Sequence, residues 1–581
     1  MPSISGETPE WCPEFDQARE LLKGYRQVYI KTISDINPKT DDITLFTNRD
    51  DPNQTPNKPA ETISGFCRFV RSEKAFKLKA TDRLVAIVHD CDSAGNFREP
   101  RSPVTATKLH EALLRPRFKP DRRAYGAAGR SCATEPLHSE KKQEKAIPDT
   151  STNKITEAER RLVFIVNPDE CVVWALATTV SPIQVKAMRT FISNHITFKA
   201  SFDVSITDRP LTYALSFHLP YYALRDTPKS ARFRDFRGLR NADDVEFLRT
   251  PSQTDADSSP LCKRIHQAKL SCLVTGQDLH TWDAYMFLDN YNEYEDGDID
   301  IEEDLDPEKE ALDRARVTLD PFSGMPLAWP NITPREYFLN VLEGFSTQAN
   351  NEWANTVSQI MSDFDATRDM YIESLYDQGD EGRNRRHEYS RWTNSVIHLL
   401  AKLKRSLDQC VNAWACFAAP DGGFCNFRNM TERNQRQAIV IMKNFKNMSG
   451  LLRELEVVEC ELMNTTTELG HLLSHESNEM ANLQSAAAKD VKILTWVTFH
   501  SLPFTLGAAF MSTRAGFLPV PETPAALVVC LLAIQAVIWA VLDRVFKGRY
   551  VAMVKQFVKA MYTAARHGVR DKRNREGAIE A

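Results

Sequence analysis

The stretch KDVKILTWVTFHSLPFTLGAAFM, residues 489–511, decides how the rest of the chain is interpreted. Its last 19 residues, 493–511, carry no formal charge. A helix rises ~1.5 Å per residue, so this run is long enough to cross a hydrocarbon layer of ~30 Å. We therefore predict a first transmembrane helix over residues 491–511.

A second uncharged run, AALVVCLLAIQAVIWAVL, occupies residues 525–542. Its 18 residues are again enough for one crossing. A loop over residues 512–524 separates the two runs, and so short a connection predicts a helical hairpin through one membrane. Everything before the hairpin is then expected on one side of that membrane.

The charges on either side of the hairpin predict its orientation. The tail, residues 543–581, contains ten Lys and Arg residues, whereas the loop contains only Arg514, offset by Glu522. Lys and Arg are enriched on the cytosolic side of membrane proteins. We therefore predict a two-pass integral membrane protein with cytosolic N and C termini, in a membrane that the sequence does not specify.

The composition argues against several other classes of protein. A formal net charge of −5 over 581 residues does not indicate a nucleic-acid partner. The 12 cysteines include no CxxC pair, which indicates reduced thiols in the cytosol rather than a disulfide framework. The GxSxG, HExxH, Walker A and dinucleotide-binding signatures are absent, so we expect no enzyme, no small-molecule substrate and no covalently bound cofactor.

The part of the chain before the long helices is predicted to contain one main domain. Residues 1–60 mix acidic residues with Pro, Asn and Thr and predict a poorly ordered lead-in. Apolar β-branched runs alternate with amphipathic stretches over residues 61–310, which predicts a cytosolic α/β domain. Within this domain, residues 115–158 predict a disordered basic insertion and residues 289–306 predict an acidic loop.

Two clusters in this domain contain residue types that bind metals. The run HDCD, residues 89–92, follows a buried-strand signal, but no partner cluster with ligand spacing accompanies it, so a polar turn is the favoured interpretation. The acidic block 289–306 partly fits a calcium-binding loop. Tyr294 occupies one of its carboxylate positions, so a solvated loop is favoured.

A helical stalk is predicted over residues 330–490. Thr333 and Glu336 have the spacing of a capping box at the start of a helix. The run APDGG, residues 419–423, predicts a chain reversal, and a third helix is predicted to run from near Thr431 into the first membrane segment. Its leucines recur at seven-residue spacing with polar interruptions, which predicts a loose helical bundle rather than a strict coiled coil.

The first membrane segment resembles the CorA family of divalent-cation channels. Residues 494–505, LTWVTFHSLPFT, are similar to that family's LT-x-VT-x-x-x-LP-(L/F)-T signature. Residues 215–225, 271–278 and 334–339 look like segments of the fungal CorA-like branch. The resemblance covers roughly residues 160–560, strongly near the membrane and diffusely before it.

The resemblance implies a homopentamer whose first membrane helices line a central pore for hydrated Mg²⁺ or a related ion. It also implies that divalent cations at cytosolic sites hold the pore closed. Helical spacing places five residues on one stripe of that helix, and these are the predicted pore-lining residues: Val491, Leu494, Thr498, Leu502 and Thr505. The alternative is that this stripe is a helix-packing surface, because Thr also forms hydrogen bonds between membrane helices.

The sequence departs from the family at the outer end of this helix. Where the family has Gly-Met-Asn at its selectivity filter, the matching positions are Ser512, Thr513 and Arg514. A ring of guanidinium groups would repel a divalent cation, because Arg stays charged. The alternative is that Arg514 points outward to phosphate headgroups and leaves the hydroxyls of Ser512 and Thr513 to face the ion. Two hypotheses follow: a CorA-like channel of altered selectivity, or a non-conducting relative that acts as a membrane-anchored scaffold or metal sensor.

Overall fold

The structure is a computed structural model that describes residues 11–34, 40–47, 58–92, 102–118, 158–228, 235–248, 261–291, 332–374, 380–427, 431–512 and 524–545, together with residues 556 and 559. The chain divides into two compact units, Met1–Leu469 and Gly470–Ala581.

The first unit is built on one mixed sheet of eight strands. These are β1 (Leu84–Cys91), β2 (Val104–Thr105), β3 (Arg160–Val166), β4 (Ser201–Asp208), β5 (Leu211–Pro228), β6 (Ala242–Asp244), β7 (Leu261–Gly276) and β8 (Trp282–Leu288). Seven strands follow the order β2-β1-β3-β8-β7-β5-β4, and β6 pairs with β7. Among the described strands, β3 and β8 pair in parallel and the other pairings are antiparallel.

Within the described residues, seven short helices accompany the sheet and four longer ones follow it. The short helices are α1 (Tyr29–Ser34), α2 (Asp42–Thr47), α3 (Lys58–Phe66), α4 (Glu73–Lys79), α5 (Ala106–Leu114), α6 (Glu170–Thr179) and α7 (Val185–Ile196). The longer helices are α8 (Pro334–Ser374), α9 (Asp380–Ala418), α10 (Glu432–Ser512) and α11 (Pro524–Val545).

The central strands are covered by helices on both faces, which fits the predicted α/β class. All residues of β3 and β8 are buried, as expected for strands without a solvated face. Successive side chains of a strand point to opposite faces. Accordingly, Tyr285 and Phe287 join the core formed with the short helices, whereas Met286 accepts a hydrogen bond from the hydroxyl of Tyr337 on α8 at 3.6 Å.

The described parts of residues 1–60 differ from the predicted lead-in. Phe15, Ile43 and Phe46 are fully buried, and α2 packs against α3 and α6. Helices of six residues are too short to produce a sustained apolar period, so their sequence resembles that of a disordered segment. They are ordered because α1 places two and α2 three apolar side chains in the core of the domain.

Helices α8, α9 and α10 occupy most of the segment predicted to be helical. The predicted capping box forms: the Thr333 amide donates to Glu336 Oε2 at 3.0 Å, and the Glu336 amide donates to Thr333 Oγ1 at 3.2 Å. Polar pairs then join α8 to α10. Asn434 Nδ2 donates to Glu336 Oε1 and Asn444 Nδ2 donates to Ser346 Oγ, both at 3.1 Å.

Several predicted segments lie largely outside the described residues. They are the insertion at 115–158, the acidic loop at 289–306, the outer loop at 512–524 and the tail at 543–581. The first three residues of the predicted acidic loop, 289–291, are described and buried, so the prediction of a solvated loop is wrong at these positions, where Asp289 pairs with two arginines.

The second unit contains the end of α10 and the helix α11. Both predicted spans therefore coincide with helices. Over the positions that the structure describes, none of the helices combines the length and the apolar character needed to span a bilayer. The two membrane spans stay predictions.

Candidate functional site

The predicted pore stripe lies on the last part of α10, where its side chains are exposed. Leu494 is 67% exposed, Val491 61% and Leu502 44%, and the two threonines of the stripe are also exposed. Side chains of this size are usually buried in a folded protein. The stripe is therefore an apolar surface available to another molecule.

The threonines of the stripe use their hydroxyl protons within the helix. Thr498 Oγ1 donates to the Leu494 carbonyl at 2.8 Å, and Thr505 Oγ1 donates to the Leu502 carbonyl at 2.9 Å. A hydroxyl that has donated its proton keeps acceptor capacity on its oxygen. Thr498 and Thr505 are thus suited to accept hydrogen bonds from the water around a cation.

Pro503 lies inside α10 between these two threonines. Proline has no backbone N–H, so the carbonyl at position 499 lacks its usual donor four residues on. The carbonyl oxygen at position 499 therefore keeps acceptor capacity that the helix does not use.

The predicted filter positions lie at the end of the described part of α10. Ser512 is the last residue of the helix, whereas Thr513 and Arg514 are outside the described residues. The structure therefore brings the five stripe residues onto one exposed helix and does not test the three filter residues.

The HDCD run is not a polar turn, which corrects the favoured interpretation of residues 89–92. Three of its four residues belong to β1. Asp90 accepts two hydrogen bonds from the Arg161 guanidinium on β3, at 2.7 and 2.8 Å. Across the ranges described, no group of three or more His, Cys, Asp or Glu side chains is arranged to hold a metal.

The described part of the first unit contains a buried ion network that the sequence did not predict. The carboxylate of Asp289, just after β8, pairs with two arginines. One of its oxygens accepts a hydrogen bond from Arg237 Nη1 and the other accepts one from Arg240 Nε, both at 2.6 Å. Asp235 accepts hydrogen bonds from Arg237 Nε at 2.7 Å and from the backbone amide of Arg240 at 2.9 Å. These four side chains carry two negative and two positive charges and are buried.

Local sequence explains how Asp235, Arg237 and Arg240 come together. The run DFRGLR forms a turn in which Gly238 has φ +68°, a conformation that side chains with a Cβ rarely adopt. The Asp235 carboxylate also accepts the Leu239 amide at 3.1 Å, which fixes the turn. The only sequence signal for this site was an Asp followed three residues later by a Gly, which is a common turn pattern.

Two basic side chains of this region, Arg240 and Lys269, also cap the C-terminal end of α7. Arg240 donates to the carbonyls of Ile196 and His195 at 3.1 and 2.8 Å. Lys269 Nζ donates to the carbonyls of Asn194 and Thr197. The last carbonyls of a helix lack intrahelical donors, so these hydrogen bonds stabilise the helix, and the positive charge of Arg240 also interacts favourably with the negative end of the helix dipole.

Burial and these charges set the protonation of the network. Burial alone would raise the pKa of Asp289, but Arg237 and Arg240 hold it well below its usual range. Burial, reinforced by Arg240, holds the pKa of Lys269 well below its ordinary value. Burial also lowers the pKa of His195 to about 3, although Asp289 opposes the shift. His195 is therefore neutral at pH 7.

Ser271, His195 and Asp289 have the order of a catalytic triad. His195 Nδ1 lies 2.9 Å from Ser271 Oγ, and its Nε2 lies 3.5 Å from Asp289 Oδ1. A nucleophile must reach its substrate. All three side chains are at most 1% exposed, and His218 Nδ1 also contacts the Ser271 hydroxyl at 2.8 Å. We therefore assign this cluster to stabilising the domain.

No protein-family model and no curated protein matches the sequence. Among solved structures, the chain is similar to the full-length CmaX protein with TM-score 0.26 and 10% identity, over 80% of this chain and 99% of that one. It is also similar to the soluble domain of CorA from Methanocaldococcus jannaschii, with TM-score 0.25 and 8% identity over 54% of this chain and 87% of that one. Both TM-scores are far below the range that indicates a shared fold.

Proposed function

We propose that the chain is the subunit of a CorA-like membrane channel or transporter for Mg²⁺ or a related divalent cation. The observation that carries the proposal is the position of the signature LTWVTFHSLPFT, residues 494–505. It lies in α10, a helix of 81 residues whose earlier part packs in the first unit. A stalk helix continuous with a pore helix is the arrangement that the resemblance implies.

The exposed stripe supports the same proposal. Leucine and valine at its start would form a hydrophobic constriction, and the oxygens of Thr498 and Thr505 would accept hydrogen bonds from the ion's hydration shell. Such a surface needs copies of the chain around it, and a homopentamer is the assembly that the resemblance implies. The lipid bilayer and other copies of this chain are thus the proposed partners, with both termini cytosolic and no catalytic activity.

Ion flux into liposomes tests this function. Purified full-length protein is expected to admit at least one of Mg²⁺, Co²⁺ and Ni²⁺ and to stay in the membrane pellet after alkaline carbonate extraction. Extraction into the supernatant would refute the membrane placement. Absence of flux for all three ions in protein that stays in the pellet would refute conduction alone.

Arg514 favours a second candidate, a non-conducting scaffold or metal sensor. Arg stands where the family has a neutral Asn, and its positive charge opposes cation entry. The variant Arg514→Asn separates the candidates. A gain of Mg²⁺ uptake over the parent would identify the filter, whereas no uptake by either protein would favour the sensor.

A further inference from the structure

An exposed patch at the edge of the first unit combines cations with apolar side chains. Phe69 is 57% exposed and Leu78 80% exposed. Arg68 and Lys79 lie over the Phe69 ring, at 4.4 and 4.6 Å from its centroid. Lys74 lies one helical turn before Leu78 on α4. We call these five residues the basic aromatic patch.

The patch has unsatisfied charge. Lys79 pairs with Glu170 at 2.9 Å, whereas Arg68 and Lys74 form no ion pair with any described residue. Glu170 also accepts the Phe69 amide at 3.2 Å, which fixes the backbone of the patch against α6. A rigid surface with free cations and exposed apolar groups fits a ligand that is both acidic and apolar.

A chain of contacts links this patch to the end of β8. Arg83, close after α4, pairs with Asp169 at 2.9 Å and donates to the Asn167 carbonyl at 3.3 Å. Asn167 Nδ2 donates to Asn290 Oδ1 at 2.8 Å. Residue 291 is the last described residue before the gap 292–331. The following sequence therefore starts a few side chains away from the patch.

The sequence that starts at this gap is complementary to the patch both in charge and in apolar character. Residues 293–306, EYEDGDIDIEEDLD, contain nine carboxylates and no Lys or Arg. They also contain Tyr294, Ile299, Ile301 and Leu305. Fifteen residues reach up to about 50 Å, which is ample for this distance, and a covalent tether gives an effective concentration of about millimolar.

We propose that the basic aromatic patch is the docking surface for the chain's own acidic segment, residues 293–306. The carboxylates pair with Arg68, Lys74 and Lys79, and the Ile and Leu side chains cover Phe69 and Leu78. The inference is independent of ion conduction.

Carbodiimide cross-linking of the full-length protein tests this contact, because the reagent joins a Lys amine only to a carboxylate that it touches. Lys74 and Lys79 are expected to link to carboxylates within residues 293–306. The Lys79–Glu170 pair is the internal positive control, and exposed Lys186 on α7 is the negative control. The yield is expected to fall about tenfold in 1 M salt, where the Debye length is ~3 Å.

Matched variants make the test decisive. Arg68→Glu with Lys74→Glu is expected to reduce the link from Lys79 to the segment about tenfold, whereas Lys186→Glu is expected to leave it unchanged. Patch lysines that link only to Glu170 and other folded residues would overturn the proposal. A link that forms in phosphatidylcholine nanodiscs but is lost in phosphatidylserine nanodiscs would also overturn the proposal, because the patch would then bind anionic lipid in preference to the acidic segment.

Discussion

Replacing Asp289 by Asn tests the role of the buried ion network. The amide has nearly the same shape as the carboxylate but removes the negative charge that faces Arg237 and Arg240, each at 2.6 Å. Both guanidinium groups then stay buried: Arg237 keeps Asp235 as an acidic partner, whereas the Arg240 guanidinium keeps only the carbonyls of His195 and Ile196. Breaking a buried ion pair by removing one partner costs about 3–5 kcal/mol.

Native-state hydrogen exchange of β7 and β8 measures this cost in the full-length chain. A loss of 3–5 kcal/mol corresponds to opening that is about a hundredfold to several thousandfold more frequent. The control is Asp82→Asn, an exposed carboxylate before β1, which is expected to change the free energy of opening by less than about 0.5 kcal/mol. The reasoning is wrong if Asp289→Asn accelerates exchange by less than tenfold or no more than the control does.

The effect of this substitution also depends on pH in a defined direction. The folded-state pKa of Asp289 lies well below its usual range because of Arg237 and Arg240, so its stabilisation is complete above the unfolded pKa of ~3.9. It is lost as the pH falls from there toward the folded pKa. The difference in the free energy of opening between the parent and Asp289→Asn should therefore be constant from pH 5 to 8 and should become smaller below about pH 4.

Three other predictions concern separate parts of the chain. Burial lowers the folded pKa of His195 to about 3, so protonation of this histidine in the unfolded chain should destabilise the parent as the pH falls from 6.5, by about 2 kcal/mol at pH 5. His195→Gln should remove that share of the pH dependence in urea-gradient pulse proteolysis, and the share from His218 and His266, whose pKa values burial also lowers, should remain. Gly238→Ala should lower the free energy of unfolding of the first unit by about 1 kcal/mol, because φ at this position is +68°. Gly450→Ala should raise it by about 0.5–1 kcal/mol, because this glycine lies inside α10, where Ala favours the helix. Equal effects of the two substitutions in the same proteolysis assay would contradict the backbone argument. Leu494→Ala should widen the proposed constriction and raise ion flux several-fold in liposomes, whereas Ile493→Ala, at an exposed position outside the stripe, should not. Identical flux from the two variants would exclude the stripe as the pore lining.

The features that the sequence predicted correctly are determined by residues that lie close together in the sequence. The capping box at Thr333 and Glu336 needs only a spacing of three residues, and the apolar run of β3 needs only its own seven residues. The alternation of such runs with helices was enough to indicate an α/β domain. Strand order was not predicted, because pairing of β3 with β8 joins residues more than a hundred positions apart.

The buried network was missed for the same reason. Asp235 and Asp289 are 54 residues apart, and nothing near either one indicates that the other will share Arg237 with it. The HDCD run shows an error of the opposite kind, because a turn was predicted where most of the run belongs to a strand. Asp90 looked like part of a turn because a charged residue in a strand is unusual, and only the structure reveals Arg161 opposite it.

The cluster of Ser271 with two histidines has one more consequence. A serine hydroxyl has a single proton, so it can donate to His195 Nδ1 or to His218 Nδ1 but not to both. Two arrangements use this proton in a hydrogen bond to one of the rings while the other ring donates to Ser271, and in each the tautomer of one imidazole dictates the tautomer of the other. Asp289 beside His195 Nε2 selects the arrangement with a proton on that nitrogen, in which Ser271 donates to His195 and His218 donates to Ser271. The interior of this domain therefore carries a hydrogen-bond chain of fixed direction, whose two ring states are expected to reverse together.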